Sequence, residues 1–296
     1  MKNAFVSTDG IRLHYLSEGE GRPVVFLHGG ILDCHDFQDV LRVAAERGYR
    51  AMAFDRPGYG LSERPKKKIT PFDQARFIHN ALRLLEVEQP IIVGHSWSGL
   101  LALAFALMYP KSVSNIVLLA PAMYMEGYPA EHGDPLSTLM TSPVIGDWVI
   151  RLFLKTPLSK KMTENMLKQT FAPETPPRGY RERVDTLWFR PGQIKANRED
   201  VLAFPPAALK ASKRYAEIRH PIAVVVGADD PFGTKEQALR LKREVPHAKL
   251  SIVPHVAHMI PQNHPELVIE AIRAVAGKDN TDGLNSSRYI LAPRFP

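Results

Sequence analysis

The stretch that most constrains this chain is Ile91-Ile92-Val93-Gly94-His95-Ser96-Trp97-Ser98-Gly99-Leu100. Ile91-Ile92-Val93 is too apolar to have a wet face, and strands of that kind lie in parallel sheets covered on both sides. From about Trp97 to Met108 the pattern is helical, so a buried strand runs into a helix with Ser96 at the junction. Small residues, Gly94 and Ser98, stand two positions away on each side. A turn this sharp leaves no room for larger side chains there, and its strain lifts the serine hydroxyl clear of the sheet. The free N–H groups of the helix start point at the same place.

The flanking sequence predicts the sheet that such a turn needs. A hairpin opens the chain, with Ala4–Ser7 and Ile11–Ser17 joined at Asp9-Gly10. Apolar runs follow at Val24–Leu27, Tyr49–Phe54, Ile116–Leu119, Ile222–Val226 and Leu250–Val253. Helical patterns separate them at 36–47, 71–85, 236–244 and 265–276. This alternation predicts an α/β fold with a mostly parallel, doubly wound sheet. Between Ala122 and Pro206 only helical stretches occur, broken by prolines and glycines, with a loop at 172–177. The expected organisation is a core of residues 1–121 and 207–276, an inserted helical cap at 122–206 and a loose tail at 277–296.

Composition narrows the classes. Hydrophobic residues make up 45% and charged residues 23%, which is globular and argues against disorder. The single cysteine, Cys34, excludes an intramolecular disulfide framework and a cysteine-cluster metal site, and it reads as a small buried residue. No run reaches the roughly 18 apolar residues of a membrane helix, and the polar N-terminus is a poor signal peptide. A cytoplasmic, soluble protein without a membrane span is expected. The net charge of +7 is local: Lys66-Lys67-Lys68 lies in a loop, while residues 122–206 hold 11 Lys+Arg against 10 Asp+Glu. A solvated patch is expected there and no nucleic-acid partner. With no H-E-x-x-H spacing, no Walker loop and no G-x-G-x-x-G opening a helix, neither a catalytic metal nor a cofactor is expected.

A nucleophilic serine needs a base, and the base needs an orienting carboxylate. On a sheet of this kind the chain order is serine, acid, histidine, each past the carboxyl end of a strand. Val224-Val225-Val226-Gly227-Ala228-Asp229-Asp230 offers two acids, of which Asp230 is preferred and Asp229 is the alternative. Beyond the last strand His258 lies where it can swing over Ser96, whereas His255 at the strand end reads as a surface or packing residue. Leu27-His28-Gly29-Gly30-Ile31 follows the strand beside the elbow, and glycines there let backbone approach a developing negative charge. The Gly30 and Trp97 amides are the expected oxyanion donors, with His28 bracing the loop.

Together these motifs resemble the α/β-hydrolase superfamily over roughly residues 4–276. The stretch Asp55-Arg56-Pro57-Gly58-Tyr59-Gly60-Leu61-Ser62 is similar to that family's D-x-x-G-x-G-x-S turn, where Asp55 and Arg56 brace. The resemblance implies a serine hydrolase acting through an acyl-enzyme on Ser96, with His258 as base and Asp230 as orienter. A serine at the elbow disfavours the dehalogenase and epoxide-hydrolase branches, which use aspartate. A carboxylesterase acting on a small, largely apolar ester or acyl substrate is the first expectation. Proline iminopeptidases, carbon–carbon bond hydrolases and perhydrolases share the layout, and strigolactone-type receptors resemble it as ligand sensors. Met123, Tyr124, Met125, Tyr128, Trp148, Phe153, Leu187, Trp188 and Phe189 are the candidate pocket lining. Two of the arginines at 151, 181, 183, 190 and 198 turned inward would point to a carboxylate-bearing substrate.

Overall fold

The fold is that of a computed structural model, which describes residues 1–128, 130–187 and 190–277. Eight strands make one sheet: β1 (Lys2–Thr8), β2 (Ile11–Glu18), β3 (Arg22–Leu27), β4 (Tyr49–Phe54), β5 (Ile91–His95), β6 (Asn115–Leu119), β7 (Ile222–Gly227) and β8 (Lys249–Val253). Their spatial order is β1-β2-β4-β3-β5-β6-β7-β8. The opening hairpin pairs antiparallel and meets β4 antiparallel, and every later neighbour is parallel. The mostly parallel, doubly wound sheet expected from the alternating pattern is therefore observed.

The uninterrupted apolar runs have a direct cause. In β3 the side chains of Val25 and Leu27 join the core on one face, and those of Val24 and Phe26 join the core on the other. A strand that feeds two cores cannot alternate apolar with polar. Helices α1 (Gln38–Glu46), α2 (Pro71–Leu84) and α3 (Ser98–Met108) supply the first covers. Phe37, Val40 and Leu41 fill one layer, and Phe77, Ile78, Leu101 and Phe105 fill the other. Helix α2 starts on a capping box, with the Thr70 hydroxyl accepting from the Asp73 amide and Asp73 returning the bond to the Thr70 amide.

Between β6 and β7 the described residues form five α-helices, a short 3-10 turn at Tyr215–Glu217 and no strand: α4 (Pro135–Met140), α5 (Gly146–Leu154), α6 (Pro157–Phe171), α7 (Tyr180–Leu187) and α8 (Pro191–Ser212). Then come α9 (Thr234–Glu244), α10 (Ile260–Asn263) and α11 (Pro265–Ala276), the last packed beside α1. The expected cap boundary at residue 206 falls inside α8, which runs on through Pro205 and Pro206. Two prolines remove two N–H donors and would ordinarily end a helix. Here Phe204, Pro205, Ala207, Ala208 and Ala211 are buried, and α8 packs on α2 and α3. That burial offsets the lost hydrogen bonds. The expected tail lies, beyond Gly277, outside the described residues. No described helix is long and apolar enough to cross a membrane.

Candidate active site

Four loops leave the carboxyl ends of parallel strands on one edge of the sheet: those after β3, β5, β7 and β8. This is where doubly wound sheets place their sites. At the end of β5 Ser96 adopts φ 53°, the left-handed region that a non-glycine residue enters only when its surroundings force it. A Cβ on Gly94 would overlap the Ser98 carbonyl oxygen, which is the steric reason for a glycine there. Ser98 is accommodated differently. It is buried, and its hydroxyl donates to the His28 carbonyl at 2.6 Å, tying the helix start to the loop after β3.

Ser96 Oγ donates to His258 Nε2 at 2.9 Å, and His258 Nδ1–H donates to Asp230 Oδ2 at 2.8 Å. Asp230 also accepts from the Phe232 amide at 2.9 Å and from the Thr234 hydroxyl at 2.7 Å. Burial alone would raise its pKa. The electrostatic attraction of His258, its hydrogen bond and those of Thr234 and Phe232 outweigh burial and hold the carboxyl below the usual range. An ionised acceptor on Nδ1 fixes the imidazole tautomer that leaves Nε2 free to take a proton. The structure thus brings Ser96, Asp230 and His258 together. It leaves Asp229 apart: that side chain is 43% exposed, and the partner of its carboxylate among the described residues is His255, 4.0 Å away and itself 93% exposed.

The histidine loop is held from two sides. His95 Nε2–H donates to the His258 carbonyl at 3.0 Å, and burial above all pushes the His95 pKa down to about 3, so the ring stays neutral. Glu174, in the loop after α6, accepts from the Ala257 amide at 3.1 Å and from His264 at 2.7 Å. Neither support has a sequence signal, because the contacts span 163 and 83 residues of chain.

Gly30 and Trp97 border the same cavity as Ser96 and His258. Neither amide finds an acceptor among the described residues, so both stay available to a ligand oxygen. Gly29 explains the close approach, since a Cβ there would stand 2.9 Å from Ser96 Cβ. Beneath this loop His28 Nδ1–H donates to the Gly29 carbonyl at 2.9 Å, and Nε2 accepts from the Arg56 amide at 3.0 Å. Burial, aided by the Arg56 charge, pushes its pKa down to about 4. Arg56 donates to the carbonyls of His28 and Gly29 and to Asp200 on α8. Asp55 accepts from His14 and from the amides of Cys34 and Leu61. Both residues brace, as the motif implied, but the link to Asp200 was not legible.

His14, Cys34 and Asp55 offer donor atoms within 4.8 Å of one another. Those atoms are already committed: His14 bonds Asp55 and Asn3, and burial drives the Cys34 thiol far above its usual pKa, so it stays protonated. The trio is a hydrogen-bonded brace and a poor metal cradle.

The cavity above Ser96 measures about 210 Å³. Of the expected lining that falls on described residues, Tyr128 alone reaches it. Met123 and Tyr124 are buried in the sheet core, Trp148 is 67% exposed, and Trp188 and Phe189 lie outside the described residues. Met166, Leu167, Phe171, Tyr180 and Val201 form the apolar wall instead. The candidate arginines turn elsewhere. Arg181 pairs with Glu164 and Asp185, Arg183 with Asp33 and Asp36, and Arg190 bonds the Gly60 carbonyl. Among the described residues no Lys or Arg borders the cavity. The polar groups besides Ser96 and His258 are uncharged: Asn197, Thr170, Gln237 and hydroxyls of Thr234 and the two tyrosines.

The sequence profile of the alpha/beta hydrolase fold matches residues 22–265. Over 277 residues the chain is 27% identical to the 2-hydroxy-6-oxononadienedioate/2-hydroxy-6-oxononatrienedioate hydrolase of Burkholderia vietnamiensis, covering 89% of this chain and 91% of that one. It is also 27% identical to the 2-hydroxy-6-oxo-6-phenylhexa-2,4-dienoate hydrolase of Burkholderia cepacia, covering 86% and 87%. Among solved structures, the enol-lactonase from Burkholderia xenovorans superposes with a TM-score of 0.71 at 17% identity, over 91% of this chain and 99% of that one, a likeness of fold.

Proposed function

The chain belongs to the alpha/beta hydrolase fold family, and from that premise we propose that it hydrolyses an uncharged, largely apolar acyl substrate on Ser96. The observation that carries the proposal is the unbroken chain of hydrogen bonds from Ser96 through His258 to Asp230 at the floor of an apolar cavity. Ser96 Oγ attacks the carbonyl carbon as His258 Nε2 takes its proton. The negative charge that develops on the carbonyl oxygen is received by the Gly30 and Trp97 amides. His258 then protonates the leaving group, and water, deprotonated by the same imidazole, releases the acyl group. Residues 122–206 serve as the cap that shapes the cavity.

Two bond types fit this machinery. Sequence reasoning puts esters first; the relatives move carbon–carbon cleavage ahead. The substrates named for the two relatives, a 2-hydroxy-6-oxo-dienedioate and a 2-hydroxy-6-oxo-dienoate, contain a ketone and carboxylates but no ester, so hydrolysis breaks a carbon–carbon bond beside the ketone. Such a bond breaks when the departing carbon carries its electron pair as a delocalised enolate, which His258 can protonate. The cavity favours a neutral member of that chemistry, or a neutral ester or lactone, since an unpaired carboxylate in an apolar wall is costly.

The test is labelling by a fluorophosphonate, followed by turnover of p-nitrophenyl esters, a neutral vinylogous diketone and a dienoate side by side. Ser96→Ala should lose labelling and turnover. Turnover of that variant at the parent rate would overturn the mechanism, and a preference for the dienoate would overturn the neutral-substrate reading.

A further inference from the structure

We propose that the outer face of α5 and α6 docks on an anionic lipid surface. Along α5 and the residue that caps it, the side chains of Ile145, Trp148 and Leu152 follow helical spacing and are 45%, 67% and 51% exposed. The opposite side, around Ile150 and Phe153, packs towards α8. On α6 Leu158, Met162 and Met166 repeat the pattern at 57%, 38% and 37% exposed. Val144, between α4 and α5, is 87% exposed. Scattered exposed apolar residues need no explanation, but exposed stripes at helical spacing on two helices that touch do.

Charge identifies the partner. Arg151, Lys155, Lys160, Lys161 and Lys168 are exposed on the same two helices or directly after α5, and none makes an ion pair among the described residues. The acids there are already neutralised, Asp147 by Lys195 and Glu164 by Arg181. Apolar stripes with a central tryptophan, flanked by free cations, match a surface whose acyl region takes Trp and Leu while its phosphates take the lysines. A second copy of this chain fits poorly, because a two-fold contact sets each patch of cations against its own image. Met166 belongs both to the docking stripe and to the wall of the cavity, so the cavity is bordered by this face. If the hydrolase reading holds, an apolar substrate dissolved in lipid has a short path to Ser96; lipid binding itself does not depend on that reading.

The experiment is flotation of the full-length protein with vesicles of phosphatidylcholine containing about 30% phosphatidylglycerol, beside pure phosphatidylcholine, at low salt. The parent should float with the anionic vesicles only. Trp148→Glu with Leu152→Glu should lower the bound fraction about tenfold, and Lys160→Glu with Lys161→Glu should do so while keeping the apolar stripe. Ser96→Ala should float like the parent, which separates this result from the fate of the mechanism. All four altered docking positions are exposed, so melting curves should be unchanged. No flotation, equal flotation of the Trp148/Leu152 variant, or a dimer in sedimentation velocity that this variant dissolves would each overturn the proposal.

Discussion

Asp200→Ala removes a carboxylate whose side chain is 1% exposed and which joins α8 to the loops beneath Gly29 and Gly30. Its oxygens accept from Arg56 at 2.6 Å, Arg64 at 2.9 Å, Tyr59 at 2.9 Å and Gln74 at 2.9 Å. Truncation leaves Arg56, 0% exposed, with a buried positive charge and no counter-ion. Losing one partner of a buried pair costs about 3–5 kcal/mol. Arg56 keeps three neutral acceptors, the carbonyls of His28 and Gly29 and the Gln74 amide oxygen, so the lower end applies, about 3 kcal/mol. For a chain of this size that corresponds to a melting temperature lower by about 5 °C.

The assay is urea unfolding together with calorimetry on the parent, Asp200→Ala, Arg56→Met and the double variant Arg56→Met/Asp200→Leu. The double variant should be clearly less destabilised than the sum of the two single variants, because replacing both charges removes the desolvation penalty with the attraction, while Tyr59 and Gln74 still lose an acceptor. The sign of the pH dependence is fixed as well. Burial raises the Asp200 pKa, but the charges of Arg64 and Arg56 outweigh it and hold the carboxyl below the ordinary value. Its stabilisation is present above the unfolded carboxyl pKa of about 3.9 and is lost as pH falls through the lower folded value. The gap between parent and Asp200→Ala should be constant from pH 8 to 5 and shrink only in acid. A loss under about 1 kcal/mol at pH 7, or a double variant as unstable as the sum of the single ones, would refute the reasoning.

Asp230→Asn should reduce kcat by about four orders of magnitude by favouring the wrong His258 tautomer, while Asp229→Asn keeps parent activity; equal losses in steady-state assays would sink the distinction. Gly94→Val should abolish fluorophosphonate labelling, since the elbow cannot close over a side chain there, whereas Ser98→Ala costs only about 1 kcal/mol of stability for the lost bond to His28. The His28 and His95 rings should show no titration between pH 8 and 5 by NMR, because their folded pKa values are pushed down to about 4 and about 3. Both stay neutral in the folded state while the unfolded histidines protonate near pH 6.5, so each contributes stability that is full above that pH and falls as pH drops towards the folded values. A ring resonance moving with a midpoint near 6.5 would contradict its burial as a neutral base.

What was legible in the sequence concerned local backbone and its spacing. Gly94, Ser96 and Ser98 read as a strained turn because steric demand between positions two apart is written in adjacent letters. The acid and the histidine could be placed at strand ends, since chain order and the parallel sheet together dictate where strand ends meet. The cap was read only as helical. Proline at 205 and 206 signals a break to any local reading, yet buried neighbours carry α8 through to Ser212.

The sequence by itself determined the sheet, the elbow and the residue types able to perform acyl chemistry, because each follows from periodicity or from sterics within a few residues. Only the tertiary structure shows that Asp230, buried, meets His258 while its exposed neighbour Asp229 does not. It also decided that Arg181 and Arg183 turn to Glu164, Asp185, Asp33 and Asp36 rather than to the cavity. The pairing of Asp200 with Arg56, 144 residues apart, belongs to the same class. Direction of a side chain and its distant partner depend on how helices settle on a sheet, and no short run of sequence encodes that.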